Sequence, residues 1–129
     1  MRSDCPVSYS LDFFGDKWTL LIIRDLVFDC KRFYKDFQQS KEGIATNILS
    51  DRLKKLEANG VIQSRVFPEL KTKKEYTLTE KGKDLIPVLV EMILWSAKYR
   101  HDLAVTEEFI QKASTDRASV IAFLRGRLE

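Results

Sequence analysis

The periodicity of apolar residues changes abruptly at Gly60, and that change constrains the fold more than any other feature of the chain. Before it, Leu49, Leu53 and Leu56 recur at helical spacing, so about Ala45 to Asn59 is expected to form an amphipathic helix stopped by Gly60. After it, Val61 to Phe67 is rich in β-branched residues, Pro68 interrupts, and Glu75-Tyr76-Thr77-Leu78 alternates again. Two strands joined by the loop Glu69 to Lys74 satisfy that pattern, which is a β-hairpin.

Upstream, the chain reads as helical. Pro6 suits the first position of a helix with Cys5 as its cap, and Val7, Leu11 and Phe14 carry it to about Gly15. From Asp16 to about Phe28, the residues Trp18, Leu21, Ile22, Ile23 and Leu26 cover most of a helix circumference, predicting the central buried helix. Trp18 is read there as a core anchor in preference to a ligand-stacking residue. Lys31 to Gln38, with Phe33 and Phe37 as an apolar pair, predicts a shorter third helix, and Ser40-Lys41-Glu42-Gly43 a turn. Downstream, Thr79 is expected to cap one long helix from Glu80 to about Arg100. Amphipathic segments follow near Glu107 to Ala113 and Asp116 to Leu128.

A short helix, a turn, a second helix and then a hairpin is the order of a winged helix-turn-helix. The expected fold class is therefore mainly α with a small β-hairpin, its N- and C-terminal helices forming a dimer interface. With 129 residues and no linker or repeat, 1–129 reads as a single domain.

Charge supports a polyanion partner. Lys31 to Lys83 carries 13 basic and 7 acidic residues, a net of +6, whereas the rest of the chain is net −3. Two cysteines, Cys5 and Cys30, make no disulfide framework, and with a single histidine no metal-ligand spacing arises. No Gly-rich phosphate loop or nucleophile motif points to an enzyme, and no cofactor is expected. No apolar run reaches membrane-spanning length and no secretory signal precedes Cys5, so a cytoplasmic protein is expected.

The residues also resemble a known family. Cys5-Pro6, Gly15-Asp16-Lys17-Trp18-Thr19, Arg24-Asp25, Arg32-Phe33 and Phe37 are similar to the opening of HxlR-type regulators. Gly43 to Leu49, Arg52-Leu53, Leu56-Glu57 and Gly60-Val61-Ile62 resemble the family's recognition helix and its exit. Tyr76-Thr77-Leu78-Thr79 with Gly82, Leu85 to Leu89 and Trp95 resemble its second wing strand and following helix. The resemblance covers about 5–98 and leaves a C-terminal helical extension at about 102–129 unexplained. It implies a winged-helix homodimer that regulates transcription, and some members sense electrophiles, oxidants or aldehydes through a cysteine near the N-terminus. Cys30 departs from the family, where glycine is frequent, and the wing carries three lysines where many relatives have proline and fewer charges.

On this reading the partner is double-stranded DNA bearing a pseudo-palindromic operator, met by a homodimer. Facing away from the buried stripe of the recognition helix, Asn47, Thr46 and Ser50 are the candidate base readers, and Lys54 and Lys55 candidate phosphate contacts. Asp51 would repel phosphate and is expected to orient a neighbouring Lys or Arg. Arg52 has two open readings, a DNA contact or an internal ion pair packed on the core. In the wing Lys71, Lys73 and Lys74, with Arg65 at its base, are candidate groove or phosphate contacts, and Lys31 and Arg32 candidate backbone anchors. Met92, Trp95 and Tyr99 suggest a dimer seam, with a pocket for a small effector as the lesser reading of that face. Phe109, Ile110, Val120, Ile121, Phe123 and Leu124 are expected to find burial against the partner subunit. Cys5, at a helix N-terminus where the macrodipole favours thiolate, is a candidate sensor of an oxidant or small-molecule effector, against the alternative of an inert cap. Two further function classes remain on sequence grounds: an adaptor that has lost DNA binding, and an enzyme with no nameable polar site.

Overall fold

The computed structural model describes residues 4–67, 69 and 73–128. Helix α1, Pro6–Phe14, begins on Pro6, and Gly15 N–H closes it on the Leu11 carbonyl at 2.9 Å. It buries none of its residues. Helix α2, Lys17–Phe28, starts on the Asp16 carboxylate, which accepts from the N–H groups of Trp18 (3.1 Å) and Thr19 (3.2 Å). It runs through the middle of the core and buries Ile22, Ile23, Leu26 and Val27. Trp18 is only half-buried, packed against the core edge with the Lys17 ammonium 4.8 Å above its ring.

The third helix is shorter than its sequence pattern suggests. α3 spans Tyr34–Gln38 only, because Lys31 to Phe33 is extended and joins the hairpin instead. Tyr76 N–H donates to the Arg32 carbonyl at 2.7 Å, and Phe33 bridges Glu75 in antiparallel fashion. A ladder partner distant in sequence outweighs the local helical preference of these residues. The chain reverses into this segment through Cys30, whose φ of 52° is left-handed, a conformation that glycine adopts freely and a side chain makes costly.

Helix α4, Thr46–Ala58, buries Leu49, Leu53 and Leu56 as its period requires. Gly60, at φ 74°, ends it, and Val61 N–H closes on the Leu56 carbonyl at 2.9 Å. Strands β1, Ile62–Val66, and β2, Lys74–Leu78, pair antiparallel with Ile62 opposite Leu78 and Val66 opposite Lys74. Lys74 is therefore a strand residue and not part of the connecting loop.

The long helix expected from Glu80 to Arg100 is two. α5, Glu80–Lys83, is capped by the Thr79 hydroxyl, which accepts from Gly82 N–H at 3.2 Å, and α6 runs Ile86–Tyr99. Pro87 causes the break: it has no N–H to offer the Lys83 carbonyl, and Leu85 N–H turns instead to Gly82 O at 3.0 Å. Among the described residues no helix is long and apolar enough to cross a membrane.

The C-terminal segments form α7, Glu107–Thr115, and α8, Arg117–Gly126, capped by Thr106 and Asp116. They correct one expectation. Val120 and Leu124 are buried in their own chain with Ala113, and Phe109 and Ile121 pack against the same core, so no partner is needed to cover them. Phe109 meets Phe28 of α2 edge-on at 6.4 Å, Arg125 pairs with Glu80 and Asp84, and Arg127 donates to the Phe28 carbonyl. Ile110 is half-buried, and only Phe123 of that group stays exposed. The extension contributes to the core because its apolar face is within reach of α2 and α6, and burial there offsets the ordering of two helices.

Candidate nucleic-acid interface

Helices α3 and α4 with the turn between them, then β1 and β2, place the basic middle of the chain on one side of the core. The turn is fastened to α2. Arg24 donates to both Glu42 oxygens at 2.7 and 2.9 Å and to the buried Asp25 at 2.7 and 3.0 Å, while Ser40 Oγ donates to Glu42. The Arg24 and Ser40 hydrogen bonds hold the Glu42 carboxyl down at about 2, and Glu42 in turn raises the Arg24 guanidinium above its ordinary value. Gly43, at φ 70°, then admits the chain into α4.

A second clamp joins the start of α2 to α4. Arg52 Nε donates to Asp16 at 2.8 Å and its Nη1 to Asp51 at 2.5 Å. Burial raises the Asp16 carboxyl, but the hydrogen bonds from Arg52 and Thr19 prevail and set it at about 2. Of the two readings of Arg52, the internal ion pair is the geometry present. Asp51 also meets Lys55 at 3.4 Å, so it orients basic neighbours as its position suggested.

Around the exposed first turn of α4, where Thr46 and Asn47 are open, the side chains sort by neighbour. Ser50 is half-buried, its Oγ 3.1 Å from the Tyr34 hydroxyl, which also donates to the Thr46 carbonyl. Between α3, α4 and the hairpin lies a groove of about 610 Å³ lined by Lys35, Lys54, Lys73 and Lys74 with Phe33 and Tyr76. Lys73 holds its ammonium 4.5 Å above the Phe33 ring. Lys55 is exposed beyond the groove. Lys71 lies outside the described residues.

The remaining basic candidates are each paired with a buried carboxylate. Lys31 reaches the buried Asp25 at 3.3 Å and keeps only 21% of its side-chain surface exposed. Arg32 and Arg65 flank Glu75 of β2, at 2.9 and 3.0 Å. Their hydrogen bonds, Arg32's first, hold this buried carboxyl below its ordinary range against the effect of burial. Both arginines leave more than half of their side-chain surface in solvent.

Lys35, Tyr34, Asp16 and Glu75 belong to this surface although sequence patterns did not single them out for it. No motif marks Lys35; only the position of α3 across from the hairpin turns it into the groove. Glu75 carried a signal, an acidic residue inside a half-buried strand directly after two lysines.

A short helix, a fastened turn, an outward-facing second helix and a basic hairpin beside it define a winged helix-turn-helix protein. The chain belongs to the HxlR-like helix-turn-helix family, whose description matches residues 13–103. It is 38% identical over 96 residues to the HTH-type transcriptional regulator YodB of Bacillus subtilis, covering 74% of this chain and 85% of that protein. Among solved structures it is similar to the redox regulator HypR in its oxidised form, with a TM-score of 0.67 at 32% identity, covering 74% of this chain and 98% of that one. It is also similar to quinone-bound YodB of B. subtilis, with a TM-score of 0.61 at 31% identity, covering 74% and 99%. The protein is thus a DNA-binding transcriptional regulator of the helix-turn-helix type, in a family of regulators and not of enzymes.

Proposed function

We propose that the protein acts as a homodimer that reads a pseudo-palindromic operator and changes its grip in response to an oxidant or electrophile at Cys5. The observation that carries the DNA half is the groove of Lys35, Lys54, Lys73 and Lys74 beside the open first turn of α4. Thr46 and Asn47 then reach base edges, Ser50 does so where Tyr34 yields it, and the groove lysines with Lys55 and Lys71 take phosphates. Arg32 and Arg65 add contacts through the guanidinium edges that Glu75 leaves open. Lys31 contributes through its field more than by touch. A cytoplasmic site of action fits a DNA-reading role.

Dimer formation is supported by surface that a monomer leaves wet. On α1, Val7, Tyr9 and Leu11 are 66%, 60% and 54% exposed, and on α6 Trp95 and Tyr99 are 70% and 65% exposed. Two such faces related by a two-fold axis cover one another and set two copies of α4 one helical turn of DNA apart. The switch is supported by Cys5, exposed at the N-cap of α1, and by likeness to regulators solved in oxidised and quinone-bound forms.

Selection of bound duplexes from genomic DNA, followed by anisotropy titration across salt, tests the first half. Affinity is expected to fall ~10³–10⁵-fold between about 50 and 200 mM salt if about 6–10 phosphates are neutralised. A flat salt response, or no selected duplex, refutes DNA reading and leaves a protein-interaction adaptor. For the second half, mass spectrometry after mild oxidant or quinone is expected to find an adduct or disulfide at Cys5. The Cys5→Ser variant should keep DNA affinity and lose the response.

A further inference from the structure

Beside the exposed face of α6 lies a second concavity, of about 840 Å³, that shares only Lys31 with the candidate DNA-reading residues. Helix α2 lines it with Leu20, Leu21 and Phe28, and α6 with Leu89, Ile93 and Ser96. Its third wall is the segment Leu103 to Thr106 with Phe109, at and beyond the end of the residues matched to the family. Cys5 is not among the lining residues.

Its charge is one-sided. Neither α6 nor the third wall contributes a charged residue; the lining charges are Arg24 and Asp29, on α2 and at its end, and Lys31, Lys41 and Glu42 in the segment that follows. Both Glu42 oxygens already accept from Arg24, and the Lys31 ammonium meets Asp25 with one of its hydrogens. With Arg24 matched to Glu42, the lining keeps Lys31, Lys41 and Asp29, a net charge of +1, and Lys41, the Gln39 amide and the remaining Lys31 hydrogens are its donors. The groove therefore suits a molecule with an apolar body and a single anionic end.

We propose that this groove is an effector site for a medium-chain aliphatic carboxylate. Its chain lies between α2 and α6 and its head group meets Lys41 and Lys31. The α2 wall from Leu20 to Phe28 is about 12 Å long at about 1.5 Å per residue, which an extended chain of roughly eight to ten carbons spans. The volume falls in the range of about 300–1,000 Å³ typical of small-molecule sites.

The rim is also the clamp on the helix-turn-helix. A carboxylate arriving at Lys41 stands beside Glu42 and competes with it for Arg24. Releasing Glu42 frees the turn that leads through Gly43 into α4, so bound carboxylate weakens DNA binding. This consequence rests on α4 being the DNA reader, whereas binding of the carboxylate does not.

Calorimetric titration of the full chain with decanoate, without DNA, tests the site. Decyltrimethylammonium serves as the cationic control, and all concentrations stay below micelle formation. Saturable one-to-one binding is expected, weakened at least tenfold by Lys41→Glu on the exposed rim and abolished by Ser96→Phe, which fills the groove from the surface of α6. Circular dichroism melts of both variants confirm folding. No saturable binding, binding untouched by either folded variant, or equal binding of the cation overturns the proposal. On a selected duplex, saturating decanoate should lower affinity at least tenfold in wild type and not in Ser96→Phe. Unchanged affinity with decanoate bound overturns the coupling, while absence of any duplex binding speaks only against the DNA-reading role.

Discussion

Arg24 on α2 grips Glu42 in the helix-turn-helix turn with two hydrogen bonds of 2.7 and 2.9 Å while its other edge holds the buried Asp25. One guanidinium thus ties a core carboxylate to the segment that aims α4. The two acidic partners differ in burial, Asp25 at 2% exposed and Glu42 on the surface, and that difference separates their energetics.

Glu42→Ala removes an exposed partner and is expected to cost at most about 1 kcal/mol of stability. Arg24→Ala leaves Asp25 buried with Lys31 alone and is expected to cost about 3 kcal/mol. Urea denaturation of both variants checks the contrast. Equal losses would show that the clamp acts as one unit.

Acid should loosen both clamps. Asp16 and Glu42 sit at about 2 in the folded protein against ordinary values of 3.8 and 4.5. Their folded values are depressed, so their stabilising contribution is complete above the ordinary values and is lost as pH falls towards about 2. Melting temperature should decline from about pH 5 downward, and less steeply in Arg52→Gln, which no longer holds Asp16.

The two kinds of DNA contact should separate by salt. Asn47→Ala is expected to lower affinity for a selected duplex by about 1–3 kcal/mol and to leave random-sequence binding nearly unchanged. Lys54→Ala should weaken both alike and reduce the salt slope by about 1. Anisotropy titrations at several salt concentrations distinguish them.

Leu124 is 3% exposed against its own chain. Leu124→Ala is expected to cost about 2–5 kcal/mol in denaturation without changing the dimer dissociation constant measured by sedimentation. A shift in dimerisation with unchanged monomer stability would contradict packing of α8 within the chain.

Gly82 packs where the hairpin begins and ends, against Val61 and Leu78. A β-carbon there would run into the Val61 carbonyl oxygen and stand 2.7 Å from Leu78 Cδ2, so Gly82→Ala should displace α5 from the hairpin and lower stability by more than about 2 kcal/mol. Hydrogen exchange at Thr79 and Gly82 reads the displacement.

Local chemistry by itself determined most of the helices, the hairpin and the basic character of the middle of the chain. The apolar stripe of Leu49, Leu53 and Leu56, the stop at Gly60 and the alternation after Val61 are all readable from nearest neighbours, because helix and strand periods are properties of short segments. Thr46, Asn47 and Lys54 followed from that stripe by simple geometry. Tertiary structure alone decided the rest. Arg32 and Phe33 look helical until β2 offers them a ladder, and Lys35 acquires its place only when α3 stands across from the hairpin. Val120 and Leu124 need burial on sequence grounds, but which surface covers them depends on where α2 and α6 lie. Arg52, Arg24 and Glu75 find partners 36, 18 and 43 residues away, with Glu75 reaching back to Arg32. Such pairings depend on distances through space, which no local spacing encodes.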